Sequence, residues 1–319
     1  MAPVLTRREF LERATCAGMV LAFGTPAVAA DGMYVSLNGS LVNKPGSALP
    51  WPDFVRLAGK LGYGGVDVSL GAARKDGVDA TRALLAEAKV KPGIAGLPVQ
   101  FGTPDEAAFQ EALKGLDEQA KFAAAIGLHR MMAVLSPGSP VPKAERHTFV
   151  KGRLTAIAEV LNRSNIRLGL EFLGPLHFRI PSERSPHQYI WTLNDTVALA
   201  KEVGPNIGVV LDIWHWHHSK GTTDDILAAG KSRIVHIHVS DAKAQPPEEV
   251  RDNQRVMPGE GVIDSTGFFQ ALKKIGYEDA VSPEPIGRVP ADMSPEDGAR
   301  LGLETTLAVM KKAGVATTP

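Results

Sequence analysis

The chain has 319 residues, of which 44% are hydrophobic and 22% are charged, with 35 basic and 35 acidic side chains. This composition is typical of a globular protein with one large core, and it requires no second domain. Because the charges cancel, the sequence provides no global field that would attract nucleic acid or an anionic membrane surface. We therefore expect a small, weakly charged molecule as the binding partner, and no nucleic acid.

The first thirty residues have the pattern of a removable export signal. Arg7 and Arg8 precede an apolar stretch at 14–23 and then a run of small residues. This order resembles a twin-arginine signal, while an ordinary secretory signal and a retained amphipathic helix are the alternatives. The sequence therefore predicts a signal at 1–30 and a single domain at 31–319. We expect a periplasmic or otherwise exported protein with no stable membrane association after signal removal.

Strand-like and helix-like stretches alternate along the rest of the chain. Predicted strands lie at 33–37, 65–68, 91–98, 131–135, 166–172, 207–212, 234–239 and 280–284. Predicted helices lie at 51–61, 80–88, 104–126, 145–161, 187–203, 224–229, 265–275 and 294–312. Eight strand-then-helix units predict an α/β fold of the (β/α)8 TIM barrel type. A doubly wound open sheet is the alternative, but no glycine-rich dinucleotide turn follows the first strand.

Two predicted loops are longer than the usual connection between a strand and a helix. The loop at 172–186 carries His177 and Arg179, and the loop at 240–264 carries Arg255. Both follow the carboxyl ends of predicted strands, which is where a TIM barrel builds its ligand site. We therefore expect both loops to lie over the site.

Four consecutive predicted strands end in a side chain that can bind a metal. These side chains are Glu171, Asp212, His238 and Glu284. Alternation along each strand allows all four to point into the barrel mouth. Three carboxylates and one imidazole would form a compact site for one divalent cation such as Mn²⁺, Mg²⁺ or Co²⁺. Each residue alone could be a helix cap or a core histidine, but four equivalent positions favour a metal site.

The motifs around these residues carry a family resemblance. They include Leu-Asp-Ile-Trp-His at 211–215, Val-His-Ile-His-Val-Ser-Asp at 235–241 and Val-Ser-Pro-Glu-Pro at 281–285. Together they resemble the xylose isomerase-like barrel superfamily of sugar phosphate isomerases and epimerases, most strongly over 166–285. The resemblance implies a metal-dependent carbohydrate isomerase or epimerase.

The resemblance also implies roles for individual residues. The implied metal ligands are Glu171, Asp212, His238 and Glu284, and the implied substrate contacts are His215 and Arg255. Such enzymes remove a proton next to a sugar carbonyl and pass through a metal-stabilised enediolate. Glu171 and Glu284 can serve as base and conjugate acid on opposite faces of the carbon, so we predict that both are catalytic.

One position departs from the family pattern. Epimerases of this type commonly have a second glutamate six residues beyond the first ligand, and this chain has His177 there. This substitution puts a free ketose in doubt as the substrate. We predict His177 and Arg179 as substrate contacts for a glycosidic or carboxylate oxygen, and two solvated loop residues are the alternative.

Other histidines near the motifs have simpler interpretations. We expect His217 and His218 to be exposed loop residues, with ligands of a second metal as the alternative. His236 is expected to lie beneath His238 as its partner. Asp241 is expected to orient that ligand or the arginine of the following loop.

Three competing functions follow from the same residues. If the substrate is a 3-keto glycoside, the same enolate can expel the aglycone, which would make the protein a β-elimination lyase. A periplasmic sugar-binding protein without turnover is a second alternative. Apurinic endonucleases share this barrel, but they need a trinuclear zinc cluster with more histidines. The sugar, the metal in the cell and the oligomeric state stay open, and a homo-oligomer is allowed.

Overall fold

A computed structural model describes residues 32–43, 47–289 and 292–317. The predicted export signal lies outside these residues, so it stays a prediction. Within the described part of the chain, no helix has both the length and the apolar character needed to cross a membrane.

Within the described residues, nine strands build one parallel sheet. The strands of the protein are Tyr34–Leu37 (β1), Gly65–Val66 (β2), Lys91–Pro92 (β3), Ala95–Gly96 (β4), Arg130–Leu135 (β5), Gly138–Ser139 (β6), Arg167–Phe172 (β7), His187–Gln188 (β8), Ile207–Asp212 (β9), Ile234–Val239 (β10) and Ala280–Pro283 (β11). The large sheet has the order β3-β2-β1-β11-β10-β9-β7-β5-β4, and β6 pairs with β8 in a separate antiparallel ribbon. The order and the parallel pairing confirm the predicted TIM barrel.

The third barrel strand is interrupted rather than continuous over 91–98. Its first half, β3, pairs with β2, and its second half, β4, pairs with β5. Only Gly93 and Ile94 separate the two halves, and the Gly93 amide still donates to the carbonyl of Val66 at 2.7 Å. Because β3 and β4 are the two ends of the sheet, the backbone between them joins these ends and closes the barrel. Pro92, which lacks an amide donor, lies at the break.

Ten α-helices connect or follow the strands in the described residues. They are Trp51–Leu61, Leu70–Asp76, Val78–Ala88, Glu106–Ala125, Lys143–Asn162, Leu193–Val203, Ile213–His218, Thr223–Ala229, Ser265–Lys274 and Pro295–Lys312. Several of them begin with a side-chain cap. In the last helix, for example, the Ser294 side chain accepts from the amide of Asp297 and proline stands in the first turn.

The prediction of a helix over 187–203 is wrong at its amino end. His187–Gln188 forms β8, which pairs with β6, and the helix begins only at Leu193. The Thr192 side chain accepts from the amide of Asp195, which fixes the helix start at that point.

A short helix over Ile213–His218 replaces the predicted loop. The carboxylate of Asp212 caps it by accepting from the Trp214 amide at 2.7 Å. His217 and His218 lie on this helix and are half-buried, so the expectation of exposed loop residues is wrong. Asp212 is therefore both a candidate metal ligand and the cap of this helix.

The strands that carry the candidate ligands form the best buried part of the sheet. All six residues of β9 and all six of β10 are buried. Parallel strands that are covered on both faces are usually apolar throughout, so a polar residue in such a strand indicates a role other than packing. The polar residues of these two strands are Asp212, His236 and His238, and all three are buried.

Candidate metal centre

The four predicted ligands meet at the mouth of the barrel. Each of Glu171, Asp212, His238 and Glu284 offers one ligand atom, and these atoms all lie within 4.8 Å of one another. Strand register brings them to one level, because His238 is the direct partner of Asp212 across β9 and β10. Glu284 follows the end of β11, where its amide donates to the carbonyl of Val239 at 2.8 Å.

His238 lies between two of the carboxylates. Its Nδ1 is 2.8 Å from Oε1 of Glu171 and 3.5 Å from Oε2 of Glu284. Burial alone would lower the pKa of His238, but the charges of Glu284 and Glu171 outweigh burial and raise this pKa to about 10. Without a metal, the imidazole is therefore protonated at neutral pH and supplies one positive charge to the cluster.

Arg255 supplies the second positive charge. Its Nη1 donates to Oδ2 of Asp212 at 2.7 Å and to Oε2 of Glu284 at 3.1 Å, and Nη2 donates to Oδ1 of Asp252 at 2.7 Å. Its guanidinium carbon also lies 4.7 Å from the ring centre of Trp214. Burial opposes the charged form, but Asp212 and Glu284 outweigh it and raise the pKa of Arg255.

The two carboxylates that Arg255 bridges respond differently to burial. Burial is the largest single effect and would raise the pKa of Asp212, but the charge of Arg255, acting together with the neighbouring histidines and the Trp214 amide, keeps this pKa below the ordinary value. For Glu284, burial dominates over the charges of His238 and Arg255 and raises the pKa to about 7. Glu284 can therefore exchange a proton near neutral pH, whereas Asp212 stays ionised.

The geometry and chemistry of the cluster fit a divalent cation. Ligand atoms about 2.1 Å from one ion are at most about 4.3 Å apart, so a 4.8 Å spread needs only a small contraction. Three carboxylate oxygens and an imidazole nitrogen are a donor set that suits manganese, cobalt or zinc. The positive charges of Arg255 and protonated His238 balance these carboxylates where a cation would otherwise do so.

His215 lies against the same cluster. Its Nε2 is 3.3 Å from Nη2 of Arg255 and 3.9 Å from Oδ2 of Asp212. Burial lowers the pKa of His215, so its ring is neutral at neutral pH. Its Nδ1 is buried, and no residue within 32–43, 47–289 or 292–317 forms a hydrogen bond with it. The structure thus brings this predicted substrate contact, and Arg255 with it, to the candidate ligands.

His177 and Arg179, the predicted contacts on the first long loop, have the following neighbours. The His177 ring stacks on Phe178 with a centroid distance of 4.0 Å, and Phe178 in turn contacts the ring of His215. Arg179 donates to the Gly174 carbonyl at 2.8 Å and covers the ring of Trp191. These contacts hold the loop itself, so substrate binding by His177 and Arg179 stays a prediction.

Asp67 is a site residue that the sequence analysis did not identify. Its carboxylate accepts from the hydroxyls of Ser36 at 2.7 Å and Ser282 at 2.9 Å. Asp67, His236 and His238 each offer one atom within 4.8 Å of the others. Burial raises the pKa of Asp67, although His238 and the serines oppose the shift. The available signal was its position near the carboxyl end of a predicted strand, like that of the four ligands.

The remaining expectations have mixed outcomes. His236 lies beside His238 with ring centres 5.2 Å apart, and its Nε2 is 2.9 Å from the hydroxyl of Ser282. Asp241 instead accepts from the amides of its own loop, including those of Gly259 at 3.1 Å and Ile263 at 2.9 Å. The expectation that Asp241 orients His238 or Arg255 is therefore wrong, because its oxygens organise the loop.

Comparison with known proteins finds relatives of this chain. The sequence model of the xylose isomerase-like TIM barrel family matches residues 55–312. An inosose isomerase from Halalkalibacterium halodurans is 29% identical over 228 residues, which cover 70% of this chain and 76% of that protein.

Solved structures are similar over most of the chain. A xylose isomerase domain protein from Alicyclobacillus acidocaldarius is 26% identical with a TM-score of 0.79, covering 88% of this chain and 99% of that one. An IolI protein with a bound zinc atom is 22% identical with a TM-score of 0.73 and the same two coverages, which shows a shared fold.

Proposed function

Because the chain belongs to the xylose isomerase-like TIM barrel family, we propose that it is a divalent-metal-dependent sugar isomerase or epimerase. It acts by moving the proton on the carbon next to a substrate carbonyl. The observation that carries the proposal is the convergence of Glu171, Asp212, His238 and Glu284 within 4.8 Å at the barrel mouth.

Relatives support this class of reaction. Four relatives named inosose isomerase are 26% to 29% identical and match about 70% of this chain. The zinc atom of the IolI structure supports a divalent metal as the cofactor, and the identity of the ion is left open. A keto-sugar or a ring-shaped keto-polyol is therefore the substrate class that we propose.

Two carboxylates of the cluster are placed to move the proton. Glu171 lies on β7, and Glu284 follows the end of β11. A carboxylate oxygen of each lies within 3.5 Å of Nδ1 of His238. One of them removes the proton from the substrate carbon, and the other delivers it from the opposite face.

Charge develops on the substrate oxygens as the proton leaves. A divalent cation held by the four side chains would supply Lewis-acid stabilisation of that charge. Arg255 and the unpartnered ring nitrogen of His215 would orient the substrate hydroxyls beside the reacting carbon. Burial of both groups keeps water from competing for these contacts.

Deuterium incorporation tests the proposed function directly. Metal-loaded protein is incubated in D₂O with inosose and with a panel of keto-hexoses, and substrate and product are examined by NMR and mass spectrometry. We expect deuterium at the carbon next to the carbonyl and loss of incorporation after EDTA treatment. Full activity in EDTA, or no exchange with any compound, would contradict the proposal.

A matched pair of variants shows whether the cluster performs the reaction. Glu284→Gln removes a carboxylate of the cluster, whereas Glu278→Gln changes a surface glutamate that pairs with Lys231 at 2.8 Å. We expect at least a hundredfold loss of turnover in the first variant and wild-type turnover in the second. The lyase alternative is tested in the same assay with a 3-keto glycoside, since elimination releases the aglycone and epimerisation does not.

Export remains part of the proposal. The twin-arginine pattern at 1–30 supports a periplasmic or exported enzyme. Fractionation of cells that produce the full chain and its Arg7→Lys, Arg8→Lys variant tests this. We expect the wild-type protein in the exported fraction and the variant in the cytoplasm, and equal distribution would contradict export by this route.

A further inference from the structure

A groove crosses the half of the barrel mouth that the candidate ligands do not occupy. Resting on the proposed function, we propose that the substrate is a keto-sugar joined through its glycosidic oxygen to a second sugar ring. The reacting ring lies at the metal cluster, and the second ring lies in this groove.

Three adjoining cavities form the groove. The first has a volume of about 530 Å³ and lies over the ends of β1, β2 and β4. It shares Gly96 and Met132 with a second cavity of about 420 Å³. The second shares Gly102, Ser136 and Arg146 with a third of about 460 Å³. The shared lining residues place the three cavities next to one another in a row, and we refer to this row as the groove.

Strand register places one side of the groove against a candidate ligand. Val134 of β5 is the direct partner of Glu171 of β7, so the two side chains face the same side of the sheet. Met132, two residues earlier, faces that side too. Val134 is 49% exposed although it belongs to a barrel strand, because it borders the second cavity. The groove therefore begins beside Glu171.

Asp67 joins the groove to the cluster on the other side. It borders the first cavity, and one of its atoms lies within 4.8 Å of a ring nitrogen of His238. Since His238 is a candidate ligand, a substrate bound at the metal cluster would meet the groove at both Asp67 and Val134. The groove is thus an extension of the same site.

The groove is larger than one sugar ring requires. Pockets of roughly 300–1,000 Å³ bury most of the surface of a drug-sized ligand, and the first cavity alone falls within that range. None of the four candidate ligands lines any of the three cavities. The three cavities therefore lie beside the ligand atoms and offer room for a part of the substrate that does not react.

The lining of the first cavity suits a sugar ring. Trp51 and Phe54 provide an aromatic wall, with ring centres 6.2 Å apart, and Asn38 and Asn43 provide amides. Sugar rings have an apolar C–H face and polar edges, so such a wall matches both. The indole nitrogen of Trp51 is buried and has no hydrogen-bond partner among the described residues. A hydroxyl of the second ring would supply one.

Arg146 provides a further donor along the groove. It borders the second and third cavities, and its guanidinium reaches the Gly102 carbonyl only at 3.4 Å. Its Nε is buried and has no hydrogen-bond partner in the part of the chain that the structure describes, and its charge lies over the ring of Phe149 at 5.4 Å. A half-buried arginine with an unused donor is expected to bind an oxygen of a ligand.

Gly96 allows the groove to be blocked. A Cβ atom built at Gly96 would have no heavy atom within 4 Å, so a larger side chain enters open space at the junction of the first two cavities. Gly152 lies on the Lys143–Asn162 helix, is exposed and is equally open, and it borders none of the cavities. Gly96→Phe and Gly152→Phe are therefore a matched pair.

The experiment compares one keto-sugar as a free monosaccharide and as a disaccharide, using metal-loaded full-length protein. We expect wild-type kcat/KM to be at least tenfold higher for the disaccharide. Gly96→Phe should lower kcat/KM for the disaccharide at least ten times more than for the monosaccharide. Arg146→Gln should raise KM for the disaccharide and leave its kcat within twofold. Gly152→Phe should behave as wild type with both substrates.

Other results would overturn the inference in distinguishable ways. Equal kcat/KM for both substrates, or equal losses in Gly96→Phe, would overturn the extended substrate and leave the proposed function intact. Preference for an aromatic glycoside over the disaccharide would overturn a sugar as the occupant of the groove. No turnover of either substrate by the wild-type protein would overturn the proposed function together with the extension.

Discussion

Nη1 of Arg255 lies 2.7 Å from Oδ2 of Asp212, with both side chains almost fully buried at the carboxyl end of the barrel. The same nitrogen reaches Oε2 of Glu284 at 3.1 Å. Arg255 thus bridges two of the four candidate metal ligands. A cation bound at these oxygens takes over part of the charge balance that the guanidinium provides in the metal-free protein.

The first prediction concerns Arg255→Gln. Removing one partner of a buried ion pair costs about 3–5 kcal/mol, because it leaves an uncompensated buried charge. A bound cation relieves that cost, so we expect the rise in Tm on adding metal to EDTA-treated protein to be larger in Arg255→Gln than in wild type. Thermal unfolding by calorimetry measures both rises.

A surface arginine serves as the control for that measurement. Arg288 pairs with Glu260 at 3.0 Å, and both side chains are partly exposed. Arg288→Gln should leave the metal-induced rise in Tm at the wild-type value, because exposed pairs contribute about 0–1 kcal/mol. Equal rises in wild type and Arg255→Gln would contradict the bridging role.

The second prediction is that metal affinity increases with pH. In the metal-free protein the pKa of His238 is about 10, so its imidazole carries a proton at pH 6 and at pH 8. A metal must displace that proton, which changes the apparent affinity by about one log unit per pH unit. We expect at least about hundredfold tighter binding at pH 8 than at pH 6, since Glu284, whose pKa is about 7, must also lose its proton. Calorimetric titration in buffers of different ionisation enthalpy also counts the released proton, and a flat affinity would contradict this assignment.

The raised pKa of His238 also determines how the stability of the metal-free protein changes with pH. The pKa of His238 is raised above its unfolded value of about 6.5, so protonation stabilises the folded metal-free protein fully below that pH. This contribution is lost as the pH rises through about 10. We therefore expect the Tm of EDTA-treated protein to fall between pH 7 and pH 10 more steeply than that of metal-loaded protein. Parallel curves would show that the charge of His238 is not coupled to the site.

The sequence predicted the elements that hold the candidate ligands better than the others. The bounds of β9 and β10 agree with the prediction, because each is an unbroken run of buried residues with clear limits. The positions of Asp212 and His238 at the strand ends then follow from the parallel arrangement alone. Local patterns suffice where a single strand determines the position of a residue.

Long-range contacts account for what the sequence did not reveal. Asp67 is held by Ser282, which is 215 positions away, so no local pattern identifies the pair. The contacts of Arg255 depend in the same way on how its long loop folds back over the barrel mouth. The helix at Ile213–His218 was missed because Asp212 serves as both candidate ligand and helix cap. Tertiary structure decides these positions.

The third prediction concerns Asp67→Asn. The carboxylate of Asp67 lies close to His236 and His238 and is fixed by Ser36 and Ser282. Groups that position a ligand histidine typically contribute 10- to 100-fold to metal affinity. We expect the metal dissociation constant of Asp67→Asn to rise by about tenfold or more. Competition with a fluorescent chelator measures it.

An aspartate at the other end of the barrel is the matched control. Asp279 precedes β11 and pairs with Arg130. Asp279→Asn should lower thermal stability, because it leaves the largely buried Arg130 without its carboxylate, and it should leave metal affinity unchanged. If both variants lose metal affinity equally, Asp67 acts only through general stability and the positioning role is wrong.

The fourth prediction concerns the contact between the loop after β7 and the helix of His215. A Cβ atom at Gly174 would collide with the carbonyl oxygen of His215 and would lie 2.9 Å from the amide nitrogen of Ser219. Both neighbours are backbone atoms, so the helix or the loop must shift. We expect Gly174→Ala to lose about 1–3 kcal/mol of stability and to raise KM, because His215 moves away from the substrate.

Gly152→Ala is the control, since a Cβ there meets nothing within 4 Å and alanine favours a helix. A rise in Tm for Gly152→Ala, with a fall of several degrees and an increased KM for Gly174→Ala, would support the close approach. A Gly174→Ala protein with wild-type Tm and KM would show that the loop and the helix adjust independently.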